Sequence, residues 1–424
     1  MEQSVPSTWR QKFLVLLPAF EERNFRLYFV GQTTNMAGNF MQNAAVGWFI
    51  QVMTHSKFWL GTNAFLALGS AALSALFGGI IVDRFDNRKI LLLTNSLGML
   101  QAFVMTWGIY TNHANMLFIS ILTVLLGLIN GVDMTARQAF IQKLATEANM
   151  ASAVALNTTM ATLALFIGPV FAGISIALLG TVGTLVINGL TFTAILIVLP
   201  LLRLEKHQPP APQHPWRMLK DGFVYTFSNP TICLLTITSG FVLMYGFSYR
   251  SILPAVVGDM FNGGRSTLGI LYAGVGCGAV TGGLFVSATS KKEKRLHLRW
   301  ILMIACGIIS IGLVGLALSR HLAWAFFFLF ISGAGLVTCQ TMSRAVIQKV
   351  GRGKLIGRIM GINILMFTGS MAVGNMLIGT MAQRFGCPIA IAINAAGIAG
   401  VGCVLFLLRN NKGWFPPELE DNRG

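Results

Sequence analysis
Few side chains inside the long apolar stretches of this chain carry charge or hydrogen-bonding groups, and those few are grouped. Asp133 and Arg137 stand four apart, so on a helix they share a face and neutralise each other. Asp133 is the one acid lying between the ends of an apolar run, which makes it the candidate for any proton transfer at that depth, the coupling group if the chain is driven by protons. Its arginine neighbour makes it a poor carrier. Two routes stay open: the proton rides on acidic groups of the substrate, or Arg137 leaves Asp133 during the working cycle. Gln32, Asn35, Asn39 and Gln42 follow steps of three and four and therefore line one helical face. That many amides exceed what helix packing asks for, and they are expected to line a substrate cavity. Single amides such as Asn188 and Asn394 read as helix glue. Tyr245, Ser248, Tyr249 and Arg250 form a second polar group, also expected at the cavity. An arginine in hydrocarbon costs on the order of several kcal/mol unless it faces water or a partner. Among hydroxyls, Arg250 suits a bidentate contact with an oxygen-rich anion. The competing reading has it snorkelling to the membrane surface.

Two further motifs concern backbone and charge. Gly79-x-x-x-Asp83-Arg84-x-x-x-Arg88-Lys89 is a tight charged turn with apolar sequence on both sides, and Asp83 is its odd member. Gly168-Pro169-x-x-x-Gly173 interrupts an apolar run where it bends a helix and lets a neighbour pack closely. Other chemistries leave no trace. There is no nucleotide-binding glycine loop with Lys-Ser/Thr, so nucleotide hydrolysis is not expected of this chain. No metal-ligand spacing occurs among the six cysteines or six histidines, and the histidines map to turns or linkers. No cofactor, no metal and no catalysis are expected.

The elements that must position these residues follow from composition. The chain has 424 residues, 54% hydrophobic and 11% charged, with mean hydropathy +0.68. So much apolar surface implies an all-α membrane protein. Twelve spans are expected, centred near Gly38, Ser70, Gln101, Val124, Phe166, Thr191, Tyr245, Gly278, Gly307, Gly333, Ser370 and Gly397. The Pro-rich stretch from Glu205 to Pro215 splits them into two halves of six. The division reads as an N-terminal segment over 1–26, a bundle over 27–203, a linker over 204–229, a second bundle over 230–409 and a tail over 410–424. Segment 1–17 lies on the membrane surface or forms a loose tail. A shift of 206 residues pairs Gly127 with Gly333, Asn157 with Asn363, Gly168 with Gly374, Gly173 with Gly379 and Asn188 with Asn394. The halves are therefore a duplication. The formal charge is +17. Only Lys57, Arg250, Arg265, Arg320 and Arg384 fall on or toward the side opposite the Asp83 turn. This asymmetry places both termini in the cytoplasm and explains the basic balance without nucleic acid.

The Gly79–Lys89 turn resembles the loop between helices 2 and 3 of major facilitator superfamily transporters, with Asp86 where that pattern has glycine. The resemblance implies the major facilitator fold and a cytoplasmic gate in which Gly79, Asp83, Arg84, Arg88 and Lys89 act, with Arg137 as the helix-4 partner of Asp83. Gly168, Pro169 and Gly173 resemble the helix-bend motif of superfamily antiporters, which implies export. Gly131–Gln138, Asn24-Phe25-Arg26 and Gly357–Met360 resemble the branch holding the enterobactin exporter and macrolide-efflux-type proteins. A proton-driven exporter of a small polar molecule is therefore expected, with an anionic siderophore first and a multidrug or macrolide antiporter as the alternative. Its setting would be the bacterial inner membrane, as a multi-pass monomer partnered by substrate, protons and lipid. A receptor or lipid scramblase is the rival class, and collapse of the gradient separates it from a coupled exporter.

Overall fold
The computed structural model of the chain describes residues 18–141, 143–144, 146, 149–202, 215–290, 298–350 and 356–408. Every regular element among them is helical. A 3-10 turn, Pro18–Glu21, leads into α1 (Arg23–Thr54), α2 (Lys57–Arg84), α3 (Asn87–Tyr110) and α4 (Met116–Ile141). α5 (Met150–Leu201) runs for 52 residues and is interrupted at Gly180. There φ is 72° and ψ −178°, a combination open in practice only to glycine, so α5 is two arms joined by a turn. The second half continues as α6 (Pro215–Ser228), α7 (Pro230–Gly246), a 3-10 turn (Ser248–Ile252) and α8 (Leu253–Phe261). It ends with α9 (Arg265–Ser290), α10 (Leu298–Leu318), α11 (Leu322–Val350), α12 (Ile356–Phe385) and α13 (Cys387–Leu408).

Ten stretches among the described residues are long and apolar enough to cross a membrane. α1, whose amides dilute its hydropathy, and the first arm of α5 bring the spans to the expected twelve. Leu73, Leu100, Trp107, Leu178, Ile304 and Leu407 stay exposed, as a lipid-facing surface requires. The chain is a multi-pass membrane protein. Within the expected linker 204–229, α6 fills Pro215–Ser228, and Asn229 caps α7 by accepting from Ile232 N at 3.1 Å. One expectation needs correction. The span centred on Tyr245 is not one helix, because it breaks at the Ser248–Ile252 turn and restarts at Leu253-Pro254. Proline at the second position supplies the φ that a helix start needs and lacks the donor a helix interior would use. Residues 1–17, the basic turn at 291–297 and the tail from 409 lie outside the described residues.

The duplication is visible in contacts as well as in sequence. Asn188 donates to Gln42 Oε1, while its counterpart Asn394 donates to Ser248 Oγ at 2.8 Å, and Ser248 stands 206 residues after Gln42. Asn394 also donates to Tyr245 O at 2.9 Å, so it holds a carbonyl freed by the helix break. Gly168 meets Ala37 and Phe40 of α1, and its counterpart Gly374 meets Met244 of α7. The two halves touch chiefly along two helix pairs, α2 with α12 and α5 with α9, with smaller contacts of α1 with α8 and of α2 with the Ser248–Ile252 turn. Both of the larger contacts rest on glycine. A Cβ added to Gly61 would lie 2.8 Å from Gly379 Cα, and one added to Gly269 would lie 3.1 Å from Gly173 Cα.

Because Asn394 closes the break, Asn394→Leu removes two hydrogen bonds and leaves Tyr245 O and Ser248 Oγ buried. A loss of about 1–3 kcal/mol is expected. Thermal unfolding of the detergent-purified protein should show Tm lower by several degrees; an unchanged Tm would mean that the break is held elsewhere.

Candidate functional site
In the first half, the polar face of α1 turns inward against α3 and α4. Asn39 Nδ2 donates to Asn35 Oδ1 at 2.9 Å, Asn35 Nδ2 to Asn95 Oδ1 at 2.8 Å, and Asn95 Nδ2 to Asp133 Oδ1 at 3.0 Å. Thr94 Oγ1 donates to the same carboxylate oxygen at 2.9 Å. Every amide in this series points its donor toward the negative charge, so each bond polarises the next. On the other side of the carboxylate, Arg137 Nε lies 2.8 Å from Asp133 Oδ2. The Nε–H is not directed along the oxygen, so this contact is an ion pair rather than an aligned hydrogen bond. One turn away, Gln42 Nε2 donates to Gln101 Oε1 at 3.0 Å, and Gln101 Nε2 to Leu122 O at 3.2 Å.

Gln32, Asn35 and Gln42 are thus brought together on one face as expected, but they are buried at 1–2% exposure inside the first half. Asn39 is half-buried. Gln32 Oε1 and Nε2, Asn39 Oδ1 and Tyr28 Oη are buried without a hydrogen-bond partner among the described residues. They are the polar atoms of this face with hydrogen-bonding capacity left for water or substrate. Ser70 and Ser74 bond back to their own helix and pack on Gly127 and Gly131. They form a close seam between α2 and α4 rather than a cavity wall.

The charged turn keeps its helix ends in order. α2 ends at Arg84, and Asp86 caps α3 by accepting from Arg88 N at 3.0 Å. An aspartate in the family's glycine position therefore has a local job as an N-cap. Arg88 donates from its guanidinium to Pro200 O. Asp83, Arg84 and Lys89 are exposed. Arg137 is held by Asp133 in this structure and not by Asp83. A side chain at Gly79 would meet nothing within 4 Å, whereas one at Gly78 would lie 2.8 Å from Thr135 Oγ1. The packing glycine is Gly78. Gly168 and Gly173 serve α5 in two directions, the first against α1 and the second across to α9 of the other half. Pro169 lies within that helix, its side chain outside what is described.

In the second half, Ser248, Tyr249 and Arg250 sit in the 3-10 turn that breaks the seventh span, all buried. The Arg250 guanidinium stacks over the Phe247 ring at 4.5 Å. Tyr245 packs on Gly397 of α13 and stacks with Phe241. A discontinuous span is how many transporters place backbone dipoles at mid-membrane. A second arginine, half-buried, was not singled out from sequence: Arg344 of α11 stacks on Phe367 of α12 at 4.7 Å. Asn95, Thr94 and Gln101 were missed too. Their signal was available, as amide and hydroxyl positions of α3 seven or fewer residues apart.

With this geometry established, comparison places the chain. The description "transmembrane secretion effector" fits residues 16–413. The chain belongs to the transmembrane secretion effector family of the major facilitator superfamily. It is 24% identical to the staphyloferrin A transporter of Staphylococcus aureus, over 82% of this chain and 87% of that one. It is 26% identical to the enterobactin exporter EntS of Shigella boydii, over 91% of both. The crystal structure of the nucleoside transporter NupG matches 92% of this chain and 100% of its own, with TM-score 0.71 and 10% identity, which shows the fold. The chain is a transporter and not an enzyme.

Asp133 and Arg137 are both largely buried, with side-chain exposures of 9% and 15%. Asp133→Asn should therefore cost about 3–5 kcal/mol by leaving Arg137 without its counter-charge. The double variant Asp133→Asn, Arg137→Gln should recover much of that loss. A double-mutant cycle on unfolding stability checks it; additive losses would show that the pair is not coupled.

Proposed function
We propose that the protein exports an anionic siderophore by alternating access, driven by the proton gradient. The observation that carries this reading is the likeness, across most of the chain, to two relatives named for transport of different siderophores. The charge inside the spans supports it. Asp133 is paired with Arg137, while Arg250 and Arg344 lie over phenylalanine rings in the second half. A buried guanidinium such as that of Arg250, in the turn that breaks the seventh span, suits an anion better than a cation. The basic asymmetry supports placing the Asp83 end and both termini on the cytoplasmic side of a bacterial inner membrane. A multidrug or macrolide antiporter, the alternative, would handle cations or large neutral molecules, which a buried guanidinium does not favour.

In this reading Asp83, Arg84, Arg88 and Lys89 belong to the cytoplasmic gate, and Arg137 joins Asp83 only when that gate shuts. Proton coupling through Asp133 requires Arg137 to leave it; otherwise the proton travels on the substrate. The Gln32 amide and the Arg250 region are the proposed substrate contacts.

Inside-out vesicles offered enterobactin and staphyloferrin A should accumulate one of them, and a protonophore should abolish the uptake. Accumulation of ethidium in preference to both would overturn the siderophore reading. Asp83→Asn should leave the protein in the membrane but cut the initial rate several-fold, since it weakens one of the two end states; the parental rate would reduce Asp83 to a turn residue. Arg250→Gln should weaken transport of the anion by roughly tenfold or more, the value of a charge-assisted hydrogen bond, and should not improve transport of cations.

A further inference from the structure
The Lys57 end of the molecule carries polar contacts that tie one half to the other. Lys57 Nζ at the start of α2 lies 2.6 Å from Asp259 Oδ2 near the end of α8. Directly beside it, Gln383 near the end of α12 holds the turn that precedes α2. Its Oε1 accepts from Lys57 N at 2.9 Å, Ser56 Oγ at 3.3 Å and Phe58 N at 3.4 Å. Thr62 Oγ1 lies 3.6 Å from Met376 Sδ one turn deeper. Both glycine contacts between the halves, Gly61 with Gly379 and Gly173 with Gly269, lie in this same end. The first turns of α2 are therefore gripped by two elements of the second half at once, by charge from α8 and by hydrogen bonds from α12.

We propose that Lys57, Asp259 and Gln383 form a latch that holds the Lys57 end shut and must release before substrate leaves on that side. The proposal rests on the chain being a transporter whose halves part, not on the identity of its substrate. Three features suit a latch rather than a structural bond. First, the pair and Gln383 add charge and hydrogen bonds to an interface otherwise made by apolar packing, with close glycine contacts at Gly61–Gly379 and Gly173–Gly269, and apolar packing alone has no directional bond to break. Second, the two side chains remain 19% and 36% exposed. Water is at hand to solvate both charges once they separate, so opening does not strand a charge in hydrocarbon. A fully buried pair would leave each ion to be desolvated alone and would hold the gate shut too firmly. Third, the Gln383 carbonyl serves donors that the start of a helix leaves free. Ser56, the N-cap residue, already accepts from Trp59 N at 3.5 Å, so α2 stays capped when Gln383 withdraws. Among the described residues a further titratable group, Cys387 Sγ, lies 3.7 Å from Asp259 Oδ2, and it is uncharged as a thiol.

The test reads the separation of the halves and needs no substrate. Spin labels on His113→Cys and His321→Cys, exposed turns at the Lys57 end of the first and second halves, are placed in a background without the native cysteines. The full-length protein sits in lipid nanodiscs and distances are measured by pulsed electron resonance. Lys57→Gln and Asp259→Asn should each raise the longer-distance population relative to the shorter by about two- to fivefold, the range for a partly exposed ion pair. Gln383→Ala should act in the same direction. The exchange Lys57→Asp, Asp259→Lys should restore the parental distribution. High salt on the protein with its native charges should mimic the single variants, because exposed pairs are screened. Distributions unchanged in both single-charge variants and in salt, or an exchange variant as open as either single one, would overturn the latch.

Discussion

Hydrocarbon supplies no hydrogen-bond partner, and Asp133 is where that constraint acts most sharply on this protein. A carboxylate inside a span must be matched by charge on one side and by donors on the other. Arg137 supplies the charge from one turn along α4. Thr94 and Asn95 supply the donors from α3, and Asn35 and Asn39 extend the series into α1. Three helices are therefore fixed in register around one side chain. The first half is built around polar satisfaction, with apolar packing filling in beside it.

The second half solves a different problem with the same scaffold. It lacks the acid and breaks its first span instead, at Ser248–Ile252. The carbonyl that the break frees is collected by Asn394, from the position that holds Gln42 in the first half through Asn188. One bond inherited from the duplication thus serves as side-chain glue in one half and as a backbone cap in the other. The contact between halves keeps the same symmetry, with a glycine of α5 against α9 and its counterpart in α12 against α2.

Much of this was legible in the sequence, for identifiable reasons. Span number, the split and the duplication follow from hydropathy and a constant shift, which depend on local composition alone. The pairing of Asp133 with Arg137 follows from helical spacing. The partners of the α1 amides were not legible, because a helical face can look toward a cavity or toward neighbouring helices, and Asn95 and Gln101, which Asn35 and Gln42 meet, lie on another helix. The break after Tyr245 was hidden because Pro254 and Arg250 lie within an apolar run that reads as continuous. Lys57 and Asp259 are separated by a linker and most of the first half, so no spacing rule could join them. Asp86 looked like a departure from a motif until its capping bond was seen.

Together these features leave a transporter with the Asp133–Arg137 pair in one half and the buried Arg250 in the other. The proposed preference for an anion is open to direct measurement on the purified protein, without a gradient or a cell. Thermal unfolding in the presence of enterobactin, staphyloferrin A or ethidium reports binding to the folded state. Stabilisation reaches about 2.7 kcal/mol when ligand is at a hundred times its Kd. A rise in Tm with one of the anionic chelators, and none with ethidium, is the expected result. Stabilisation by ethidium with no response to either chelator would contradict an interior built for anions.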